Sequence, residues 1–309
     1  LGLGTPLPIS AHHNRGIGSL VDALLPLLPP AAAEEESEDV PKIAIAGRPN
    51  VGKSMLLNTL VGDERVIVDA TPGTTRDAVD TAFQYKEQKL VLIDTAGIRK
   101  RGKSGIGINY YSLIRSLRAI NRCDIALLVV DAAELVTAQD MHIAGYIKDA
   151  HKGMLLVVNK CDLISKEREL ELSGYIAQRL KSMPHVPVLY ISALQGRGVG
   201  KLLPAALEIW QERHKQLPNT VVDRLIKGAV EANAPPHKGL RRLQVIRAYQ
   251  DGVNPPGFTF LVNDPELLHF SYQRYLENKL RQTFGFHGTA LRFTFKKAPR
   301  RGPRRSGED

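Results

Sequence analysis

The sequence predicts an α/β protein with a mostly parallel sheet, followed by a small α+β domain. Between Pro41 and Leu217, five short aliphatic and β-branched runs alternate with helix-period segments. Runs that are apolar at every position belong to parallel strands covered on both faces. Beyond Leu217 the composition changes: residues 222–309 hold 16 Lys and Arg against 8 Asp and Glu, so +8 of the whole-chain net charge of +10 lies there.

In chain order, the first segment repeats a later one. The stretch from Pro8-Ile9-Ser10-Ala11 to Gly16-Ile17-Gly18-Ser19-Leu20 matches Tyr190-Ile191-Ser192-Ala193 to Gly198-Val199-Gly200-Lys201-Leu202 at a constant offset of 182 residues. That offset is the size of one α/β domain plus a linker. Residues 1–30 are therefore expected to be the last strand, loop and helix of a preceding, related domain. The start at Leu1, with no signal pattern after it, points to a fragment or processed chain. Residues 31–40, with the acidic run Glu34-Glu35-Glu36-Ser37-Glu38-Asp39, offer no core and read as a linker.

The strands expected next are 42–46, 90–93, 125–130, 154–158 and 188–191, making 41–217 one domain. Leu217-Pro218-Asn219-Thr220 then stops the helix that contains Trp210, and Thr220 is expected to cap a new helix towards Ala232. Strands at 243–249 and 258–262, a helix over 265–284 and a strand at 290–295 follow, in the order αββαβ. The second domain is placed at 218–297, with a basic flexible tail at 298–309.

Composition removes several classes. With 43% hydrophobic and 24% charged residues over 309 positions, the chain is not wholly disordered. Cys123 and Cys161 are the two cysteines, which excludes a disulfide framework and fits a reducing compartment; no Cys/His spacing resembles a zinc site. No apolar run approaches the roughly 20 residues a membrane helix needs. The positive charge favours an anionic partner without choosing among nucleotide, RNA and acidic lipid.

The motifs choose. Gly47-Arg48-Pro49-Asn50-Val51-Gly52-Lys53-Ser54, before Met55, is a phosphate-binding loop in its required place between strand and helix. Its glycines let backbone N–H groups close on phosphates, Lys53 reaches the terminal phosphates and Ser54 offers a hydroxyl to Mg²⁺. Asp94-Thr95-Ala96-Gly97 follows a buried strand, where Asp94 can hold the magnesium shell and the Gly97 N–H can meet the γ-phosphate. In the loop Thr71-Pro72-Gly73-Thr74-Thr75-Arg76-Asp77, Thr75 is the preferred residue to place a hydroxyl on Mg²⁺ and sense the γ-phosphate. Asn159-Lys160-Cys161-Asp162 ends a further strand. A carboxylate there accepts from both N1–H and the 2-amino group of guanine, a pair adenine lacks. Ser192-Ala193-Leu194 would buttress the base. The reading is GTP or GDP with Mg²⁺; a P-loop kinase is argued against by the guanine-selecting motif.

GRPNVGKS, TPGTTRD, DTAG, NKCD and SAL in this order resemble the GTPases related to translation factors. DTAGIRKRGK, with Tyr111-Ser112 and Arg118-Ala119-Ile120, is similar to the second GTPase domain of the Der (EngA) family. The resemblance implies two GTPase domains in tandem followed by a KH-like domain, here the αββαβ segment. It also implies GTP hydrolysis, a role in assembling the large ribosomal subunit, rRNA as partner, and a cytoplasmic or organellar location. Neither a membrane nor DNA is expected as partner, and a monomer is expected. The alternative kept beside it is a ribosome- or RNA-binding module whose cycle is crippled for want of its first GTPase domain.

Ile98 stands where many switch GTPases carry a water-orienting Gln. In relatives with an apolar residue there, the resemblance implies a K⁺ ion near the phosphates, with Asn50 in the place of a ligand. The competing reading is that Asn50 only shapes the loop. Lys53, Thr75, Gly97 and Asn50 are thus the catalytic candidates. Arg99-Lys100-Arg101-Gly102-Lys103, opening a Gly-rich stretch to Gly107, either contacts RNA or nucleotide or is a solvated loop. Gly285-Phe286-His287-Gly288 fits G-x-x-G but lies between the long helix and the last strand, so a helix-end turn is expected rather than an RNA clamp. Lys296, Lys297, Arg300, Arg301, Arg304 and Arg305 are read as rRNA-phosphate contacts, with a solubilising tail as the alternative.

Overall fold

The computed structural model describes residues 7–10, 16, 19–20, 23, 40–62, 66–68, 80–95, 108–238 and 241–299, with backbone alone at 66–68, 108–113 and 238. The chain divides into two units, 1–40 and 41–309. In the first, Gly16 has φ +74° and Leu20 N–H donates to its carbonyl at 3.1 Å. A Cβ on Gly16 would lie 2.4 Å from the Pro8 carbonyl oxygen; one on Gly198, at φ +77°, would lie 2.7 Å from that of Tyr190. Both pairs are 182 positions apart, so the sequence repeat is also a repeat of local geometry.

The second unit opens with β1 (Lys42–Ala46), α1 (Lys53–Val61), β2 (Val66–Val68), β3 (Thr81–Tyr85), β4 (Gln88–Ile93) and α2 (Ile108–Arg122). It continues with β5 (Ile125–Asp131), α3 (Ala138–Asp149), β6 (Gly153–Asn159), α4 (Lys166–Arg179), β7 (Val188–Tyr190) and α5 (Leu202–His214). These strands make one sheet of order β2-β3-β4-β1-β5-β6-β7, parallel from β4 to β7, with β2 and β3 antiparallel at one edge. Alternation along β1 explains the two layers. Ile43 and Ile45 join Leu56 and Leu57 of α1 and Ile209 of α5, while Ala44 and Ala46 face Ile120 of α2 and Ile143 of α3. Burial on both faces is why these strands read as unbroken apolar runs. Capping sets helix starts: Thr137 and Asp140 form a reciprocal box on α3, and the Ser165 side chain accepts from Arg168 N–H at the start of α4.

The remainder holds α6 (Asn219–Ala232), β8 (His237–Lys238), β9 (Arg241–Arg242), β10 (Val245–Gly252), β11 (Gly257–Val262), α7 (Phe270–Phe284) and β12 (Arg292–Lys297). β11 is central, antiparallel to β10 and parallel to β12, and Phe258, Phe260 and Val262 pack against Ile226 of α6 and Leu276 of α7. The αββαβ order therefore holds for the principal elements, with a two-residue hairpin added.

Three expectations are corrected here. Helix α6 starts at Asn219 after Pro218, and no side chain caps it, so Thr220 lies inside the first turn. The expected helix over 265–284 is two pieces. Asp264 caps a 3-10 turn at Pro265–Leu267, Leu268 is extended, and His269 Nδ1 then meets Ser271 N–H to start α7. Pro265 after the Asp264 cap starts the first piece, the extended Leu268 ends it, and the His269 cap restarts the helix. The last strand begins at Arg292 rather than 290 because 285–291 is used for docking.

That docking occurs at the amino ends of the parallel strands. Met154 N–H donates to Gly288 O and Gly288 N–H to His185 O, each at 2.7 Å, and Gly153 bridges Thr289. Phe286 is fully buried, edge-on to Phe258 at 5.7 Å, and its N–H donates to Glu212 Oε2. Arg213 of α5, 1% exposed, donates to Asn254 Oδ1, His151 O and Thr289 Oγ1. The Gly285–Gly288 segment is a helix-end turn, as expected, but one buried against the larger sheet domain.

Candidate functional site

The sequence motifs gather at the carboxyl ends of β1, β4, β6 and β7, opposite the docking seam. Between β1 and α1 the loop is held open by glycines that nothing else can replace. A Cβ on Gly47 (φ +142°) would lie 2.4 Å from Val129 O, and one on Gly52 (φ +99°) 2.2 Å from Asn159 Nδ2. Asn50 is exposed at φ +68°. Lys53 Nζ donates to Gly47 O at 2.7 Å and Arg48 O at 2.5 Å, so the ammonium lies against the loop it belongs to. Ser54 and the exposed Met55 follow it in the first turn of α1, whose amino-terminal N–H groups and positive dipole end suit phosphate.

Asn159 is a clamp. Its side chain, 2% exposed, donates to Val51 O and accepts from Ala193 N–H, each at 2.9 Å. Both amide atoms thus bind backbone, and Asp162 stands three residues on. Asp162 Oδ1 is buried and, among the described residues, has no hydrogen-bond partner. A buried carboxylate oxygen in that condition is an acceptor for a ligand N–H and is costly to leave unmet. Lys160, at φ +65°, pairs with Asp131 Oδ2 at 2.5 Å. Ser192 is fully buried and its Oγ accepts from Gln195 N–H at 3.2 Å. Leu194 is exposed, and Thr59 Oγ1 of α1 meets Ala193 O at 2.9 Å. The structure therefore brings together Gly47, Asn50, Val51, Gly52, Lys53, Ser54, Asn159, Ser192 and Ala193.

Asp94 directly follows β4, one residue past Ile93, whose strand partner is Ala44 of β1. Its φ is +57° and its N–H donates to Asp80 Oδ1 at 2.9 Å. Gly97, Thr75 with the rest of 71–77, Ile98 and the 99–107 run lie outside the described residues. Among the described residues no cluster of His, Cys, Asp and Glu forms a metal cage of its own. Ser54, after β1, and Asp94, after the neighbouring β4, offer hard oxygen donors of the kind Mg²⁺ takes.

Sequence reasoning missed the loop's outer support. Arg48 Nε donates to Asp140 Oδ1 at 2.9 Å and Nη2 to Glu134 Oε2 at 3.0 Å, and Asp140 is fully buried while capping α3. Thr137-x-x-Asp140 was readable as a cap, but nothing in spacing alone links it to residue 48.

Comparison with known proteins agrees with this geometry. Residues 42–160 match the family model described as 50S ribosome-binding GTPase, and residues 216–296 match the KH-domain-like model of EngA bacterial GTPase enzymes, C-terminal. The chain is 45% identical to GTPase Der of Desulforamulus reducens, over 96% of this chain and 68% of that protein. It is 46% identical to GTPase Der of Chloroflexus aggregans, over 98% and 68% respectively. It thus spans about two thirds of the length of these relatives. A phosphate loop with its lysine, the two matched family models and this degree of identity place the chain in the Der (EngA) family of GTPases, enzymes that bind GTP or GDP with Mg²⁺ and hydrolyse GTP.

Proposed function

We propose that the chain is a GTP-driven switch acting in assembly of the large ribosomal subunit, with its residues divided as follows. Lys53 neutralises phosphate charge, and Ser54, Asp94 and Thr75 hold Mg²⁺. Thr75 and Gly97 sense the γ-phosphate. Asp162 selects guanine, while Asn159, Ser192, Ala193 and Leu194 shape the base pocket. Mg²⁺ supplies charge stabilisation to the β- and γ-phosphate oxygens. Water is the nucleophile, and no side chain becomes covalently attached. Asn50, exposed and left-handed beside Lys53, is the residue proposed to ligate K⁺, which would offset the missing Gln at position 98.

The buried, partnerless Oδ1 of Asp162 carries the nucleotide reading. The ribosomal part is supported by the description of the matched family model and by the +8 charge of residues 222–309. We assign residues 1–30 to the end of a first GTPase domain, 31–40 to a linker, 41–217 to the GTPase domain, 218–297 to the KH-like domain and 298–309 to a basic tail. Phosphate contact by Lys296, Lys297 and the tail arginines replaces G-x-x-G recognition, because that loop is spent on docking. Co-sedimentation with purified large ribosomal subunits tests the reading. Binding with a non-hydrolysable GTP analogue that exceeds binding with GDP is expected; equal binding, or none, overturns the switch.

A further inference from the structure

Asp80 directly precedes β3, and its carboxylate is 6% exposed. Oδ1 accepts the backbone N–H of Asp94 at 2.9 Å, and Oδ2 accepts from the guanidinium of Arg122, the last residue of α2. One residue on, Thr81 Oγ1 and Thr95 Oγ1 share a hydrogen bond at 2.7 Å. Asp94 itself has φ +57°, a left-handed conformation that L side chains seldom adopt without support. Asp80 is thus an acceptor built to hold one unusual peptide, the peptide of the residue assigned to the metal. It also joins three segments: the residue before β3, the start of DTAG, and the carboxyl end of α2.

We propose that Asp80 is a positioning residue for magnesium. By fixing the left-handed backbone of Asp94 it sets the carboxylate that holds the metal shell, and through Arg122 it ties that setting to α2. The guanidinium balances the Asp80 carboxylate, so Asp80 orients Asp94 without adding net negative charge next to it. The proposal rests on the assignment of Asp94 to the metal made above.

The test follows release of a fluorescent GDP analogue from the full chain against Mg²⁺ concentration, together with kcat and KM for GTP. Removing a group that orients a metal ligand typically weakens metal binding by about tenfold or more, so Asp80→Ala is expected to raise the Mg²⁺ midpoint about tenfold. KM for GTP should stay within about twofold while kcat falls, because the phosphate and base contacts are intact. Asp80→Asn keeps an acceptor for the Asp94 N–H and is expected to recover most of the loss. Asp94→Ala is the reference. If it raises the midpoint and Asp80→Ala does not, Asp80 has no positioning role and the metal assignment stands. If Asp94→Ala leaves the midpoint unchanged, the metal assignment fails and this proposal with it. Hydrogen exchange at the Asp94 amide of the unaltered protein needs no variant: strong protection is expected, and exchange at the rate of a free amide overturns the proposal.

Discussion

Asp162 and Lys160 flank Cys161, yet their electrostatic situations are opposite. Lys160 is paired with Asp131, whereas Asp162 keeps one buried oxygen without a donor. Replacing Asp162 by Asn turns one acceptor into a donor facing a guanine donor. Each charge-assisted bond is worth about 1.5–3 kcal/mol, so KM for GTP should rise about a hundredfold. Xanthosine triphosphate, which carries an acceptor at the 2-position, should become the better substrate; steady-state KM for both nucleotides checks this. Arg48 makes a different kind of contribution. Its main-chain oxygen receives Lys53 while its guanidinium is held by the buried Asp140. Arg48→Ala should raise KM for GTP about tenfold through a looser loop, and Arg48→Lys, which keeps a cation beside Asp140, should restore part of it.

At the scale of elements, the GTPase and KH-like parts meet through α5 and the turn after α7. Gly288 has φ +66°, and an added Cβ would lie 2.5 Å from Ile209 Cγ1. Gly288→Val should cost about 1–3 kcal/mol in backbone strain alone, lower the melting temperature and open 284–292 to protease. GDP affinity should be unchanged, since the nucleotide loops lie at the other end of the sheet. Arg213→Met should cost about 3 kcal/mol or more by stranding Asn254, Thr289 and the His151 carbonyl. The elements differ in how far the sequence revealed them. β1, β5 and β6 were legible because burial on both faces demands apolar residues throughout. β2 and β3 were not, being an antiparallel edge in which Thr81, Gln84 and Tyr85 alternate with fewer apolar cues. The nucleotide motifs were legible by spacing. The Arg48–Asp140 pair and the Asp80 contacts were not, because they join residues 92, 14 and 42 positions apart. The role of Gly285–Gly288 was half legible: its place after a helix gave the turn, but only the fold shows what it packs on.

Across the molecule, the seam has a pH signature. Burial first, and then the charges of Arg281, Lys148 and His287, push the His185 imidazole from 6.5 down to about 3. The folded state therefore holds His185 neutral. Stability from this site is full above the unfolded value of 6.5 and is lost as pH falls from there towards 3, at about 1.4 kcal/mol per unit. Urea midpoints measured at pH 7.5, 6 and 5 should fall in step, and His185→Gln should flatten that acid limb. The KH-like domain, which carries most of the excess positive charge, docks at the amino ends of the parallel strands, and the phosphate loop lies at their carboxyl ends. The account as a whole is tested most directly by turnover of GTP, with ATP as comparator, in potassium and in sodium, with and without purified large ribosomal subunits. It predicts hydrolysis confined to GTP, faster in potassium and raised by the subunits. Equal turnover of both nucleotides, indifferent to cation and to subunits, would contradict it.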